Sequence, residues 1–409
     1  MHRNLKGVRH LKTTALFVDD EPNILSGLKR MLRVMRQEMD FHFAENGQEA
    51  LDILASQHID VIISDMRMPR MDGASLLTAV QEKYPHVIRI MLTGHADEEA
   101  ILRTVGVVHQ FLAKPVDPDS LKAVLSRACA LQDLMKNDQL KSLVSSLGKL
   151  PSLPSVYAEL QKKLMNPECA IGDVAAILEK DMAMSAKVLQ LVNSAFFGLY
   201  KNVDSILHAV NLLGLDTVKA LVLGVGVFSE FKTTPSAVFS VGALWDHSVT
   251  TAAFAKKIAS METDNKQLVD TVFIAGMMHD VGKLLLFSSL QDDYLRAVAM
   301  ALEQGLSLCQ AEQVVFNANH GNVGSYLMGL WGLPGGVVES IAFHHHLDAY
   351  PEPSFSPAVA IHAADVIYYQ LNPKSSVGAP PVLNQVYLEQ AGLWEKFGQW
   401  LDICREMRS

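Results

Sequence analysis

The stretch DVIISDMRMPRMDG, residues 60–73, decides how the first part of this chain folds. It holds a short apolar run, VIIS, that closes on a carboxylate, Asp65. Four similar runs lie around it: ALFV, FHFA, IRIML and QFLA. Between the first two, Leu25, Leu28, Leu32 and Met35 recur at spacings of three and four, which gives one apolar helix face. Pro22 suits the first turn of that helix, where its missing N–H is not needed. Short apolar runs alternating with helical patterns predict an α/β unit, five parallel strands with crossover helices.

Chemistry-bearing residues stand at the carboxyl ends of these runs, where such a sheet places its functional edge. Asp19 and Asp20 follow the first strand, Asp65 the third and Thr93 the fourth, while Lys114 follows the fifth. A single Asp is usually a helix cap or a solvated loop residue. That explanation does not cover Asp, Asp, Asp, Thr and Lys at successive strand ends. Three convergent carboxylates repel one another unless a hard cation joins them, and Mg²⁺ with oxygen ligands meets that need. A lysine and a hydroxyl beside them supply what a phosphoryl group requires.

With LFVDDEP, IMLTGH and FLAKP added to the opening stretch, residues 13–131 resemble the receiver domain of two-component response regulators. The resemblance implies a flavodoxin-like, doubly wound fold. It implies that Asp65 is the phosphoacceptor, loaded from a phosphohistidine of a sensor histidine kinase. Asp19, Asp20, Asp65 and the backbone carbonyl of Arg67 would hold Mg²⁺, and Lys114 would pair with the phosphoryl oxygens. Thr93 and Phe111 would be the switch residues, while Arg67 and His95 occupy positions that influence phosphoryl lifetime. The face around TVGVVHQFLAKP is then expected to dock on the second domain or on a second receiver, making a homodimer.

At 409 residues the chain is too long for one ordinary core, so two domains are expected. An apolar fraction of 49% with 19% charged residues describes a well-buried protein. The formal charge of -9 and the lack of a basic cluster or basic helix-turn-helix argue against DNA binding. Cys129, Cys169, Cys309 and Cys404 lie far apart, which suits a reducing compartment. No apolar run spans a bilayer without charges or glycines, and the first residues lack the core of a signal peptide. A cytoplasmic protein without membrane insertion is the expectation.

Residues 132–149 continue an amphipathic pattern that starts at Asp117-Pro118 and are expected to form a helical linker, which LPSLPS breaks. From residue 154 to about 370 the pattern is helical throughout. Asp173 is expected to cap a helix running to Glu179, with another from Met182 to Val192 and two more around Gly214. The Asn193-Ser194 pair has the character of a structural helix end. Histidines then accumulate: His247, His279 with Asp280, His320, His344 and His345, followed by Asp365. Adjacent His and Asp on a helix point about a hundred degrees apart, so both can reach one ion between them. Such ligands suit Zn, Fe or Mn. Lys283 is placed to contact a phosphate or to pair with Asp280.

These residues, with LPSLPSVYAELQKKL, EKDMAMSAKVLQLVNSAFFG and SILHAVNLLGLDTVKALVLG before them, resemble an HDOD domain over residues 150–370. HDOD domains are all-helical output relatives of the HD metal-dependent phosphohydrolases. The resemblance implies that His247, His279, Asp280, His320, His344, His345 and Asp365 match an HD-type site for one or two metals. The chain departs from the cyclic di-GMP phosphodiesterases, because HHHLDAYPEPSFSP carries neither their Glu nor their DGxGYP-like loop. Three alternatives stay open: a hydrogen-bonded polar network, a metal-loaded site without turnover, and a phosphohydrolase. The favoured expectation is a phosphorelay response regulator whose HDOD domain signals to a downstream protein. Residues 371–409 read as a polar stretch and then an amphipathic helix, with Leu393, Phe397, Trp400, Leu401 and Cys404 on one face.

Overall fold

The computed structural model describes residues 12–37, 39–84, 87–93, 107–114, 154–164, 169–193, 203–231, 238–350 and 353–407, with isolated positions between 116 and 125. The expected linker at 132–149, the Asp117 helix start, Ser194 and His95 lie outside the described residues. The chain divides into two units, Met1–Asp133 and Leu134–Ser409.

In the first unit, strands β1 (Thr13–Val18), β2 (Met39–Ala44), β3 (Val61–Asp65), β4 (Ile88–Thr93) and β5 (Gln110–Ala113) form one parallel sheet. Their order is β2-β1-β3-β4-β5. All five predicted runs fall in these strands, and the first two strands begin two residues earlier than the apolar runs do. Between them lie α1 (Pro22–Met31), α2 (Gly47–Ser56) and α3 (Gly73–Lys83). The predicted helix after Pro22 tightens at Leu32–Met35 into a 3₁₀ turn, yet Leu25, Leu28, Leu32 and Met35 all remain buried. Asn46 and Asp72 cap α2 and α3 with their side chains, accepting from Glu49 N and Ser75 N. The register pairs Val18 with Ser64, Asp65 with Leu92 and Thr93 with Ala113, so the strand ends line up on one edge.

The described residues of the second unit are helical. They form α4 (Ser155–Leu164), α5 (Ile171–Glu179), α6 (Met182–Val192), α7 (Ile206–Leu213) and α8 (Leu215–Glu230). These are followed by α9 (Val241–Glu262), α10 (Lys266–Met278), α11 (Val281–Ser289), α12 (Gln291–Gln304) and α13 (Leu308–Phe316). The series continues with α14 (His320–Leu330), α15 (Gly335–Phe343), α16 (Pro357–Leu371), α17 (Gln385–Gln390) and α18 (Phe397–Glu406). One expectation needs correcting: Asp173 is not the cap of α5 but its third residue, and it reaches back to accept from Ala170 N at 3.1 Å. A carboxylate at that position serves the same unpaired donors from inside the helix. Asn193 is structural, bonding both the N–H and the carbonyl of Val203.

The Lys266–Ser289 stretch matches a membrane span by length and composition, but it is broken at His279-Asp280 and mostly buried inside this unit. Its apolarity is that of a core helix pair. The tail also packs on the core. Trp400 is fully buried and donates from Nε1 to Glu262 Oε1 at 3.1 Å, while Lys396 pairs with the same carboxylate. Leu393 and Cys404 are buried, whereas Phe397 and Leu401 lie at the margin. Within the polar stretch before it, Ala379 N donates to Leu306 O, fastening that segment to the turn after α12. Trp400→Ala should therefore lower the stability of the helical unit by about 3–5 kcal/mol in chemical denaturation, and an unchanged midpoint would contradict the packing described.

Candidate functional site

The sheet edge gathers the first group. Asp19 and Asp65 are buried and Asp20 is half-buried, and the three offer oxygens within 4.8 Å of one another. Lys114 Nζ lies 2.7 Å from Asp65 Oδ1 and 2.9 Å from Asp19 Oδ2. The other Asp19 oxygen accepts from Glu21 N at 2.9 Å, which turns the carboxylate toward the cluster. Burial raises the Asp65 carboxyl above its ordinary range, with Asp19 adding to the rise and Lys114 opposing it. Burial alone would lower Lys114, but its two carboxylate partners overcome that and raise it. Charge-rich oxygens, one cation and partial exposure make a place where a hard divalent ion and a phosphoryl group fit.

The loop after Asp65 is held shut locally, with Gly73 N bonding Met66 O at 2.9 Å. Arg70 within it takes a left-handed φ of 69°. A Cβ on Gly73 would stand 2.1 Å from the Asp65 carbonyl oxygen, so only glycine lets α3 start this close to Asp65. Arg67 lies in this loop, Thr93 closes β4 and Phe111 lies in β5.

The second group forms where α9, α10, α11, α14, α15 and α16 meet. His279 and Asp280 do not lie within one helix, as expected, but form the break between α10 and α11, where Asp280 has ψ of 6°. The break turns both side chains inward. His247 Nε2 stands 3.1 Å from His279 Nε2, 3.2 Å from Asp280 Oδ2 and 3.3 Å from Asp365 Oδ1. On the other side, His320 Nε2 is 3.2 Å from Asp280 Oδ1 and 3.0 Å from His345 Nε2. Two sets of donors, His247/His279/Asp280 and Asp280/His320/His344/His345, each lie within 4.8 Å, and Asp280 belongs to both. Asp365 adjoins the first. Every predicted residue of this set is thus brought together, and Lys283 pairs with Asp280 at 2.6 Å.

The tautomers follow from the outer bonds. His279 Nδ1 donates to Gly276 O and His344 Nδ1 to Ile341 O, each at 2.7 Å. In the neutral rings the Nε2 atoms therefore carry lone pairs. The lone pair of His279 Nε2 stands 3.5 Å from Asp280 Oδ2 and 3.9 Å from Asp365 Oδ1, a repulsive arrangement that a cation relieves. His344 Nε2 is buried without a hydrogen-bond partner, while Asp280 Oδ1 and Asp365 Oδ1 meet imidazole nitrogens of His320 and His247 at 3.2 and 3.3 Å. Burial lowers His279, and it drives His344 and His345 well below the usual imidazole range. Burial also opposes ionisation of Asp280, but His279, Lys283, His247 and His320 overcome it and hold the carboxyl well below its usual range. Unprotonated imidazoles beside ionised carboxylates are the donor set that Zn, Fe or Mn takes, so the residues fit a divalent ion.

Two participants carry no sequence signal of their own. Glu312 on α13 is fully buried, and its Oε2 accepts from His320 Nδ1 at 2.5 Å and from His320 N at 2.9 Å. His362 on α16 donates from Nδ1 to His344 O at 2.7 Å and accepts from Asn384 N at 3.0 Å. Only the folded chain shows what each of them faces. Against burial, Glu312 and Asp280 raise His320 to about 9.

Comparison with known proteins finds two domain families in this chain. The response regulator receiver domain family matches residues 15–126, and the HDOD domain family matches residues 150–347. The transcriptional regulatory protein GlrR of Escherichia coli (strain K12) is 37% identical over 120 residues, 29% of this chain and 27% of GlrR. An uncharacterized protein of Treponema pallidum (strain Nichols) is 27% identical over 219 residues, 54% of this chain and 42% of its own. The crystal structure of an HDOD domain protein from Geobacter sulfurreducens aligns with a TM-score of 0.53 and 28% identity, covering 65% of this chain and 88% of its own. The chain spans less than half the length of the curated relatives it matches.

The approach of α11 to α14 sets the width of the helical centre. A Cβ on Gly282 would stand 2.0 Å from the His320 carbonyl oxygen, whereas one on Gly172 would meet nothing within 4 Å. Gly282→Ala should cost at least about 1–3 kcal/mol by overpacking. Gly172→Ala should be neutral or stabilising by up to about 1 kcal/mol. Thermal unfolding of the two variants checks the contrast.

Proposed function

We propose that this chain, a response regulator that joins a receiver domain to an HDOD output domain, accepts a phosphoryl group on Asp65 and relays that event through its helical unit. The observation that carries the proposal is the convergence of Asp65, Asp19 and Lys114 at one sheet edge. A receiver implies a phosphodonor such as a sensor histidine kinase. An Asp65 carboxylate oxygen would attack phosphorus, the P–N bond of the donor would break, and the leaving imidazole would take up a proton. Asp19, Asp20 and Asp65 would hold Mg²⁺, which when bound offsets the charge of the phosphoryl group. Lys114 would exchange its bond to the Asp65 carboxylate for one to a phosphoryl oxygen, so phosphorylation would replace the single charge of a carboxylate at this edge by a phosphoryl charge of about two.

In the helical unit we assign the His/Asp centre to holding a divalent ion while the domain signals by protein contact. Its burial supports this assignment, with His279 at 0% and Asp280 at 1% exposure. A bound ion would stabilise the helix junction by its preference for the folded state. The second reading is a phosphohydrolase under receiver control, and it is favoured by the unpartnered donors around Asp280. A bound metal would then activate water toward a phosphate ester.

Acetyl phosphate should label the wild-type protein and leave Asp65→Asn unlabelled; retained labelling would overturn the phosphoacceptor assignment. Metal analysis of purified protein should find stoichiometric ion that Asp280→Ala loses, whereas a purely hydrogen-bonded network would hold none. Turnover assays with cyclic dinucleotides, nucleotides and guanosine tetraphosphate separate signalling from hydrolysis.

A further inference from the structure

Glu312 belongs to neither donor set, and its carboxylate is 0% exposed. Burying an ionised carboxylate costs several kcal/mol unless its partners compensate. Helix capping does not by itself explain it. The start of α14 already has a reciprocal cap, in which Asn319 Oδ1 accepts from Asn322 N at 3.0 Å and Asn322 Oδ1 accepts from Asn319 N at 3.1 Å. Glu312 adds the otherwise unpaired N–H of His320 and, through the same oxygen, the Nδ1–H of the ring. Its other oxygen is buried without a partner. The charge is therefore concentrated on one imidazole edge. The opposite edge of that ring faces Asp280 Oδ1 and His345 Nε2.

We infer that Glu312 is a positioning residue: it locks His320 in the Nδ1–H tautomer and thereby makes Asp280, His320, His344 and His345 a second metal position, distinct from the one at His247 and His279. This rests on the assignment of the His/Asp centre as a metal site. A ligand histidine whose outer nitrogen donates to a carboxylate is fixed in orientation and more basic at the inner nitrogen, and losing such a partner typically costs 10–100-fold in metal affinity. The effect falls on one position because Glu312 contacts His320 alone among the ligands.

Glu312→Gln keeps the size and an acceptor for the backbone N–H but removes the charge. In zinc titrations against a competing chelator, the wild-type chain should bind two ions, and Glu312→Gln should weaken one of them about 10–100-fold while leaving the other unchanged. The cobalt-substituted protein should lose the absorption of one position only, a change that a general loss of packing would not produce. Equal affinities in wild type and variant would overturn the role of Glu312 and leave the metal assignment standing. A wild-type chain that binds no ion would overturn both. If Glu312→Gln fails to fold, proton–nitrogen correlation spectra of the zinc-loaded wild-type protein decide: Nδ1–H with an unprotonated Nε2 on His320 supports the inference, and any other tautomer overturns it.

Discussion

The helical unit depends on balancing charge where water is excluded. Asp280, Asp365 and Glu312 are buried together, and Lys283 is the lysine beside them. Carboxylates enclosed in this way need further positive charge, which reaches them as protons on His247 and His320 or as a divalent ion. That requirement organises the surrounding helices. Asp280 sits at the break between α10 and α11. The break lets Oδ1 face His320 while Oδ2 faces His247 and Lys283. Gly282 then brings α14 close enough for His320 to complete the arrangement.

The receiver edge solves a related problem differently. Its acidic cluster remains partly open, with Asp20 half-buried and Lys114 reaching in from solvent at 23% side-chain exposure. Strand register fixes the spacing there, and the register is maintained by buried apolar strands on both sides of β3. An open cluster on a rigid edge can exchange a small group with a visiting protein. An enclosed centre can hold an ion and resist exchange. Physical accessibility thus separates the open carboxylate cluster from the enclosed His/Asp centre.

The sheet was legible because each strand is a short apolar run that ends in a polar residue, and the topology brings those ends together without further information. The His/Asp set was legible as a list, since His247, His279, Asp280, His320, His344, His345 and Asp365 are rare types in an apolar background. Their geometry was not. A residue count treats His279 and Asp280 as neighbours on one helix, whereas backbone ψ at Asp280 ends that helix. Glu312 carries no such signal, because its partner His320 comes only after the left-handed residue Asn317 ends α13. Asp173 shows the same limit on a smaller scale: capping chemistry is visible in sequence, but the position from which it is delivered depends on where the first helical turn closes.

His362 has a consequence for how the chain end behaves. One of its nitrogens holds the carbonyl of His344 and the other receives the N–H of Asn384, whose side chain caps α17. The imidazole therefore ties the end of α15 at His344 to the segment around Asn384 through a single rigid ring. A chain terminus ordinarily frays independently of the core. Here the Asn384 amide cannot exchange its hydrogen with solvent until its bond to His362 opens, so its protection reports how firmly this segment is held to the helical unit.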